Sequence, residues 1–377
     1  MLRNFSYIIQ SIGFFLSGII KKRRYDVVFY YPQHFNRGVH NENQFFKQLL
    51  LSCDNNNISY IVFEEPDFTI RSKRNNKVVP FDFIYLLIIL LRKLYSSKLT
   101  TLVKDQKIGG FIANLFFRKF IFKHYITLSQ SMLSIFKGIN PNAKLYDLQH
   151  GIIHNNKKNY LVNGVAESNL LVNNANLLLS GKSYKDMLVI NDKSNYFQSH
   201  TFVIGGHVFS SDFIHQQFND NVLVTLQFTH DHSKSENQQI ALTLERLIKK
   251  EPTFHFYLRN HPRFNNEIDL DRFLSFPNAS VISGILQENF SKCRLHLTTY
   301  STTVFEAALQ GIPTCFLYSD SPKMNIFYSQ YNYPFYKASL TELYNKYFDF
   351  SLQVKTWSER FYQPLNKDSF LKALKNV

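Results

Sequence analysis

Residues 221–228 read NVLVTLQF, residues 255–262 read HFYLRNHP, and residues 294–301 read RLHLTTYS. Each is a short apolar, β-rich run that ends in polar residues. Helical spacing fills 235–250 between the first two, and a helix is predicted over 302–311, before the strand PTCFLY at 313–318. ASVISG at 279–284 adds a further strand. Strands that alternate with helices predict a parallel sheet covered on both faces. Ligands of such sheets bind beyond the carboxyl ends of the strands, where the polar tails of these runs fall.

The same alternation precedes this block. VVFYYP (27–32) and IVFEE (61–65) read as buried strands around a helix at 42–52. Residues 81–95, FDFIYLLIILLRKLY, read as a core helix, and 107–137 as helix with mixed basic and apolar faces. KLYDLQHG (144–151), ANLLLSGK (175–182) and HTFVIGG (200–206) read as strands that end in loops, and 207–220 as a connector. The chain therefore divides into an N-terminal domain at 25–215 and a C-terminal domain at 216–354. A C-terminal segment, 355–377, is expected to pack back on the first domain. Residues 5–20 form an amphipathic helix that ends at Lys21-Lys22-Arg23-Arg24, too short to span a bilayer. Segment 1–24 either lies at a membrane interface or packs on the body of the protein.

Composition agrees with a large globular protein. Of 377 residues 45% are hydrophobic and 19% charged, which excludes a disordered chain. Three widely spaced cysteines (Cys53, Cys293, Cys315) exclude a disulfide scaffold and fit a reducing, cytoplasmic compartment. Residues 1–160 hold 23 Lys/Arg against 9 Asp/Glu, while 161–377 hold 20 against 19. The excess positive charge of the first part suits an anionic partner there. No RNP-type, zinc-finger or helix-turn-helix pattern is present, so nucleic acid is not the expected partner.

Three constellations carry chemistry. Gln149-His150-Gly151, with His154 behind, ends a strand, and a histidine there can act as acid or base. Arg259-Asn260-His261-Pro262-Arg263 puts phosphate-type donors on one strand tip, held by a proline. Ser301, Thr302 and Thr303 are helix N-cap types, and Glu306 lies one turn in, able to accept ribose hydroxyls. GxGxxG, GxxxxGK[ST], GxSxG and HExxH are absent. His230-Asp231-His232 lacks a Cys or acidic partner at metal-ligand spacing, so no metal ion is expected.

In their order these pieces resemble the GT-B glycosyltransferases of bacterial surface polysaccharides. The series runs from Gln149-His150-Gly151 through Ser180-Gly181-Lys182 and VIGG (203–206) to Gln227, RNHPR (259–263) and YSTTVFEAALQGIP (300–313). The motifs are similar to those of sialyl-, polysialyl- and Kdo-transferases, and to those of teichoic-acid polyol-phosphate transferases. The resemblance implies two Rossmann-like doubly wound domains facing a cleft. His261, Arg259, Pro262, Arg263, Ser301, Thr302 and Thr303 would bind the donor phosphate. Glu306 would take the ribose, and Gln227 and Gly206 would line the nucleotide site. Gln149, Gly151 and His154 would lie on the acceptor side. His150 is the first choice of base and Glu42 the second, because no acidic D/E-D/E-G motif occurs in the first half.

The implied activity is a metal-independent, inverting transfer from a nucleotide sugar, CMP-linked in preference to UDP-linked. The acceptor would be a lipid-linked or anionic glycan of capsule or lipopolysaccharide, at the inner face of the cytoplasmic membrane. Two other readings stay open. One is a CDP-polyol phosphotransferase of teichoic-acid type, and the other a non-catalytic basic module that binds membrane or nucleic acid.

Overall fold

A computed structural model describes residues 2–36, 41–68, 74–95, 99–155, 157–206, 219–317 and 322–375, with side chains described from Phe5 onward. The chain divides into two compact units, Met1–Val208 with Gln363–Val377, and Phe209–Tyr362. The expected boundary at 215/216 lies outside the described residues.

Among the described residues the main sheet of the first unit has seven parallel strands: β1 (Val27–Pro32), β2 (Tyr60–Glu65), β3 (Val79–Pro80), β4 (His124–Leu128), β5 (Lys144–Leu148), β6 (Asn176–Leu179) and β7 (Thr201–Val203). Their order is β7-β6-β5-β4-β1-β2-β3. The direction of winding therefore reverses between β1 and β4. β1 is buried throughout, so its alternate side chains feed two cores. Val27, Phe29 and Tyr31 pack with Phe46, Leu49 and Cys53 of helix α2 (Gln44–Asn55). Tyr30, from the other face, meets Phe81 and Phe136 edge-on.

Helices α1 (Leu2–Ile20), α3 (Asp82–Leu94), α4 (Thr101–Ile112) and α5 (Leu133–Ile139) belong to that second face. α1 anchors through Phe15, whose ring lies 5.6 Å from Phe63 and Phe81 and 5.4 Å from Phe117. α4 and α5 approach to backbone contact. A Cβ on Gly109 would lie 2.1 Å from the Ile135 oxygen, and one on Gly138 2.0 Å from the Gln106 oxygen.

Two sequence expectations need correction here. The span 107–137 is not one helix. It contains α4, a π-helical turn (Ala113–Phe117), the fully buried strand β4 and α5. His124-Tyr125-Ile126-Thr127-Leu128 is β-prone, but its apolar flanks mimic helical spacing, and only pairing with β1 and β5 selects the strand. Nor does the return to the first unit begin at 355. The last long helix of the second unit, Tyr347–Ser358, keeps its end there, because Trp357 stacks on Phe305 at 4.8 Å and Phe361 and Tyr362 close on the same ring.

The crossing comes at Gln363, whose N–H donates to the Ser180 oxygen (2.8 Å). Helix Lys367–Lys375 then covers β5, and Tyr146 donates to the Ala373 oxygen (2.6 Å). Gly205, at φ +71°, makes this passage possible, since a Cβ there would fall 2.0 Å from the Pro364 oxygen. Gly205→Ala should therefore cost about 2 kcal/mol or more, from the left-handed φ plus the clash. A lower melting temperature with unchanged secondary structure by circular dichroism is the expected readout.

The second unit holds five parallel strands: β8 (Asn221–Thr225), β9 (His255–Arg259), β10 (Ala279–Val281), β11 (Leu295–Thr298) and β12 (Thr314–Phe316). Their order is β10-β9-β8-β11-β12. This is the doubly wound pattern, with its reversal between β8 and β11. Helix α6 (Lys234–Lys250) covers one face with Ile240, Ala241, Leu244 and Ile248. It begins in a capping box between Ser233 and Glu236.

Candidate functional site

Most of the residues singled out above follow the carboxyl ends of parallel strands, and in each unit the strand order reverses between two of those ends. In the second unit Gln227, just past β8, bridges that point. Its Oε1 accepts the Tyr300 N–H at 3.0 Å and the Thr299 hydroxyl, both just past β11. The loops after β8 and β9 are joined by the Arg263–Asp231 ion pair and by the Asn265 N–H on the Phe228 oxygen (3.2 Å). Arg263 holds the Asp231 carboxyl below the usual carboxylate range. Tyr300 forms a shelf between His232, 5.4 Å away by ring centroids, and Lys323, whose Nζ lies 5.8 Å from the ring. The sequence reading did not single out Tyr300 or Lys323 as ligands. Lys323 reaches the site from helix Pro322–Tyr331, distant in sequence from every motif.

His261 sits half-buried on this rim, and its Nδ1 accepts the backbone N–H of Arg263 at 3.0 Å. That bond assigns the proton of the neutral ring to Nε2, making it a donor. The neighbouring arginines do not converge with it as expected. Arg259 turns to the Gly284 oxygen (2.9 Å) and the Asn289 side chain, and Arg263 is held by Asp231. Pro262 is exposed between them.

The hydroxyl-rich turn is also more specialised than its composition suggested. The Ser301 Oγ accepts the Thr303 N–H (3.3 Å), and helix α7 runs only from Thr303 to Leu309. Thr302 is exposed and makes no side-chain cap. The Thr303 hydroxyl points inward, 3.1 Å from that of Thr225, which in turn lies 2.8 Å from His296 Nε2. Thr303 is thus tied to the core, because a buried histidine on β11 needs hydroxyl partners. Burial lowers the His296 pKa to about 3. Glu306 is part-buried within α7, and burial pushes its carboxyl up to about 7, against the opposing pull of Arg259.

In the first unit His150, just past β5, leans toward the reversal between β1 and β4. Its Nε2 lies 3.1 Å from the Ser129 hydroxyl, and its ring meets Phe35 edge-on at 5.2 Å. Ser129, Gln130 and Met132 all take positive φ, +56°, +56° and +57°. Three non-glycine residues in the left-handed region beside one histidine are the mark of a shaped site. Asp147 anchors this loop by accepting the Gln130 N–H (2.8 Å) and the Tyr160 hydroxyl (3.3 Å). Neither Ser129 nor Gln130 is marked by a local pattern, because β4 before them is hidden within apparent helical spacing.

Gln149 serves the turn rather than an open surface. It accepts from the Ser180 N–H and hydroxyl (3.0 Å each) and donates to the Gly151 oxygen (2.8 Å). Gly151 needs neither a positive φ nor close packing, since a Cβ there would meet nothing within 4 Å. The expected tight approach is at Gly205 instead. Gly206, at φ +110°, belongs to the same crossing, its N–H on the Gln363 oxygen (3.1 Å). His154 is half-buried four residues beyond His150, and burial with Lys157 lowers its pKa. Glu42 pairs with Lys77 at the surface (3.0 Å). Glu65, at the end of β2, is the acid with base-like character: burial pushes it up to about 6 although the Tyr30 hydroxyl donates to it (2.8 Å).

Asp147 carries a pH prediction. Burial raises its pKa to about 7, above the ~4 of an unfolded carboxyl. The folded chain then keeps a proton that the unfolded chain has released. This contribution to stability is complete below pH ~4 and is lost as pH rises through ~7. Buried His124, lowered to about 4, and His296 act in the opposite sense, losing stability as pH falls below ~6.5. Asp147→Asn should flatten the decline of melting temperature between pH ~5 and ~7 and leave the acid limb in place.

Among the described residues no three His, Cys, Asp or Glu side chains are placed to hold a metal ion. The expectation of a metal-free site rests in part on the sequence having no Asp-x-Asp triplet, and that is wrong, since Asp269-Leu270-Asp271 is one. Asp269 is spent on a turn, accepting the Asp271 N–H (3.0 Å). The adjoining Arg272 pairs with Glu245, well along α6 from the carboxyl rim. The triplet therefore lies away from the strand reversal.

No family model matches this chain, and no curated protein sequence matches it. Solved structures do. The UDP-GlcNAc 2-epimerase of Methanocaldococcus jannaschii, in complex with UDP-GlcNAc and UDP, is 11% identical with a TM-score of 0.56, covering 93% of this chain and 100% of the other. The UDP-GlcNAc 2-epimerase of Neisseria meningitidis, bound to UDP-GlcNAc, is 12% identical with a TM-score of 0.55, over 93% and 100%. A variant of the wall teichoic acid polymerase TagF is 12% identical with a TM-score of 0.53, over 100% and 96%. The chain has the GT-B fold. Epimerase and polymerase share it, so the fold alone does not choose the reaction.

Proposed function

We propose that this chain is a metal-independent glycosyltransferase that moves a sugar from a nucleotide donor, CMP-linked before UDP-linked, to a surface glycan. One observation carries the reading. The strand reversal of the second unit, bridged by Gln227, has beside it the His261 imidazole, whose Nδ1 accepts the Arg263 N–H and so leaves the proton of the neutral ring on Nε2. That is the position and polarity a nucleotide phosphate requires. Two of the similar structures hold UDP-GlcNAc, which supports a nucleotide sugar as the donor class.

In this mechanism the acceptor hydroxyl loses its proton to His150 as its oxygen bonds to the anomeric carbon. The bond from that carbon to the phosphate oxygen breaks, and His261 stabilises the charge left on the departing phosphate. Ser301 and Thr302 would border the phosphate and Glu306 the ribose. The acceptor is a lipid-linked or anionic glycan met by the basic first unit at the inner membrane face.

The test is a thermal-shift screen against CMP, CDP, UDP, GDP and their sugar conjugates, with and without EDTA. A ligand at about 100 times its Kd stabilises by about 2.7 kcal/mol. We expect a shift with a cytidine or uridine nucleotide that EDTA leaves unchanged. No shift with any nucleotide would overturn the reading. The TagF likeness, which spans the whole chain, favours a CDP-polyol phosphotransferase as the second reading. Analysis of the product, glycosyl or polyol-phosphate, separates the two.

A further inference from the structure

Helix α1 presents apolar side chains to solvent as well as to the protein. Its protein-facing side carries Ser11, Phe15 and Gly18, all buried, and the Ser11 Oγ accepts the Phe83 N–H (3.1 Å). Its outward side carries Phe5, Ile9, Leu16 and Ile20, at one helical stripe, with Phe5 61% and Ile20 77% exposed. Ile19, at 44%, is exposed as well, while Phe15 between these residues is buried. A surface helix ordinarily turns polar residues outward.

The pattern continues on the neighbours. α3 buries Ile84 and Ile88 and exposes Leu86, Leu90 and Leu94, the last at 71%. α4 and the π-helical turn after it expose Phe111 and Leu115. Phe83 of α3 meets Phe116 of that turn edge-on at 5.2 Å, and Lys119 donates to the Ile20 oxygen (3.1 Å), so the elements are contiguous. One apolar surface spread over three helices exceeds the scattered exposure of an ordinary monomer.

The charge on these elements is of one sign. Lys21, Lys22, Arg24, Lys93, Arg118 and Lys119 are exposed. The carboxylates within 1–25 and 81–123 are Asp82 and Asp105, both buried and paired, with Arg74 and Arg92. No described helix is long and apolar enough to cross a membrane.

We propose that the α1–α3–α4 face docks on an anionic phospholipid bilayer, with α1 lying in the plane of the interface. Aliphatic and phenyl side chains enter the acyl boundary, and the cationic rim meets the headgroups. Charge complementarity selects this occupant, since the described residues of these helices carry exposed cations and no exposed carboxylate to pair with a basic partner. The proposal stands on this surface alone and does not require the transferase reading.

Co-sedimentation of the full chain with vesicles tests it. Binding to phosphatidylcholine–phosphatidylglycerol vesicles should exceed binding to phosphatidylcholine alone by at least about tenfold and weaken with added salt. Ile9→Ser with Leu16→Ser on α1, and separately Leu90→Ser with Leu94→Ser on α3, should each reduce binding several-fold while circular dichroism stays unchanged. Wild-type protein that ignores anionic vesicles, or variants that bind as wild type, would overturn the proposal. So would a dimer in solution that the same substitutions dissolve without any vesicle binding, because the face would then be an interface between copies. The nucleotide thermal shift should persist in every variant, which separates failure here from failure of the transferase reading.

Discussion

Replacement of His261 by alanine should lower turnover by about 100-fold or more while the melting temperature stays within a few degrees. Removing one donor that acts on developing charge costs roughly 10²–10³ in rate. The ring is half-buried, and its Nδ1 accepts the Arg263 N–H. That bond leaves the proton of the neutral ring on Nε2, and a half-buried ring at a strand tip contributes little to the core, so the loss falls mainly on chemistry. Glutamine, which can donate from a similar position, should recover part of the rate. Steady-state kinetics with the nucleotide identified by the thermal-shift screen decide the matter. Turnover near wild type in the alanine variant would sink the assignment of His261 to the phosphate.

Arg74→Ala should destabilise the first unit by about 3–5 kcal/mol. Arg74 lies between Glu64 and Asp82, with side chains 6% exposed for the arginine and 1% for each acid. Its Nη1 reaches both Asp82 oxygens, at 2.6 and 2.7 Å, and its Nε reaches Glu64. Glu64 also accepts from Asn36 (2.6 Å), Tyr31 (3.1 Å) and the Asn75 N–H (3.3 Å). Without the guanidinium, two carboxylates are left facing each other out of water. At about 2–4 °C per kcal/mol for a unit of this size, the unfolding transition should drop by about 10 °C. Adding Glu64→Gln and Asp82→Asn should restore part of the loss, because the cost is charge and not volume. A shift under ~2 °C for Arg74→Ala would show that the cluster is not closed in solution.

Much of the fold was legible. VVFYYP and IVFEE form adjacent buried strands, and every strand expected between 221 and 318 is present. These runs announce themselves because a strand buried on both faces must be apolar at successive positions. β4 was not legible, since five residues with apolar flanks satisfy two periods at once. The long-range pairing with β1 and β5 settled it. The candidate site divides in the same way. Local motifs point to His150, His261 and Gln227, and Tyr300 lies inside one of them without standing out, whereas Ser129 and Lys323 come from segments with no pattern of their own.

The amino-acid sequence by itself determined the alternation of strands and helices, the polar tails at their carboxyl ends and the basic first half, because each is written in local period and composition. Only the tertiary structure decided strand order, the inward turn of Thr303, the separate partners of Arg259 and Arg263, and which side of α1 meets the protein. Those outcomes depend on which distant groups meet: buried His296 needs hydroxyls, Arg263 finds Asp231 across two loops at the surface, Ser11 accepts an N–H of α3, and Gly18 lies against the Phe116 backbone.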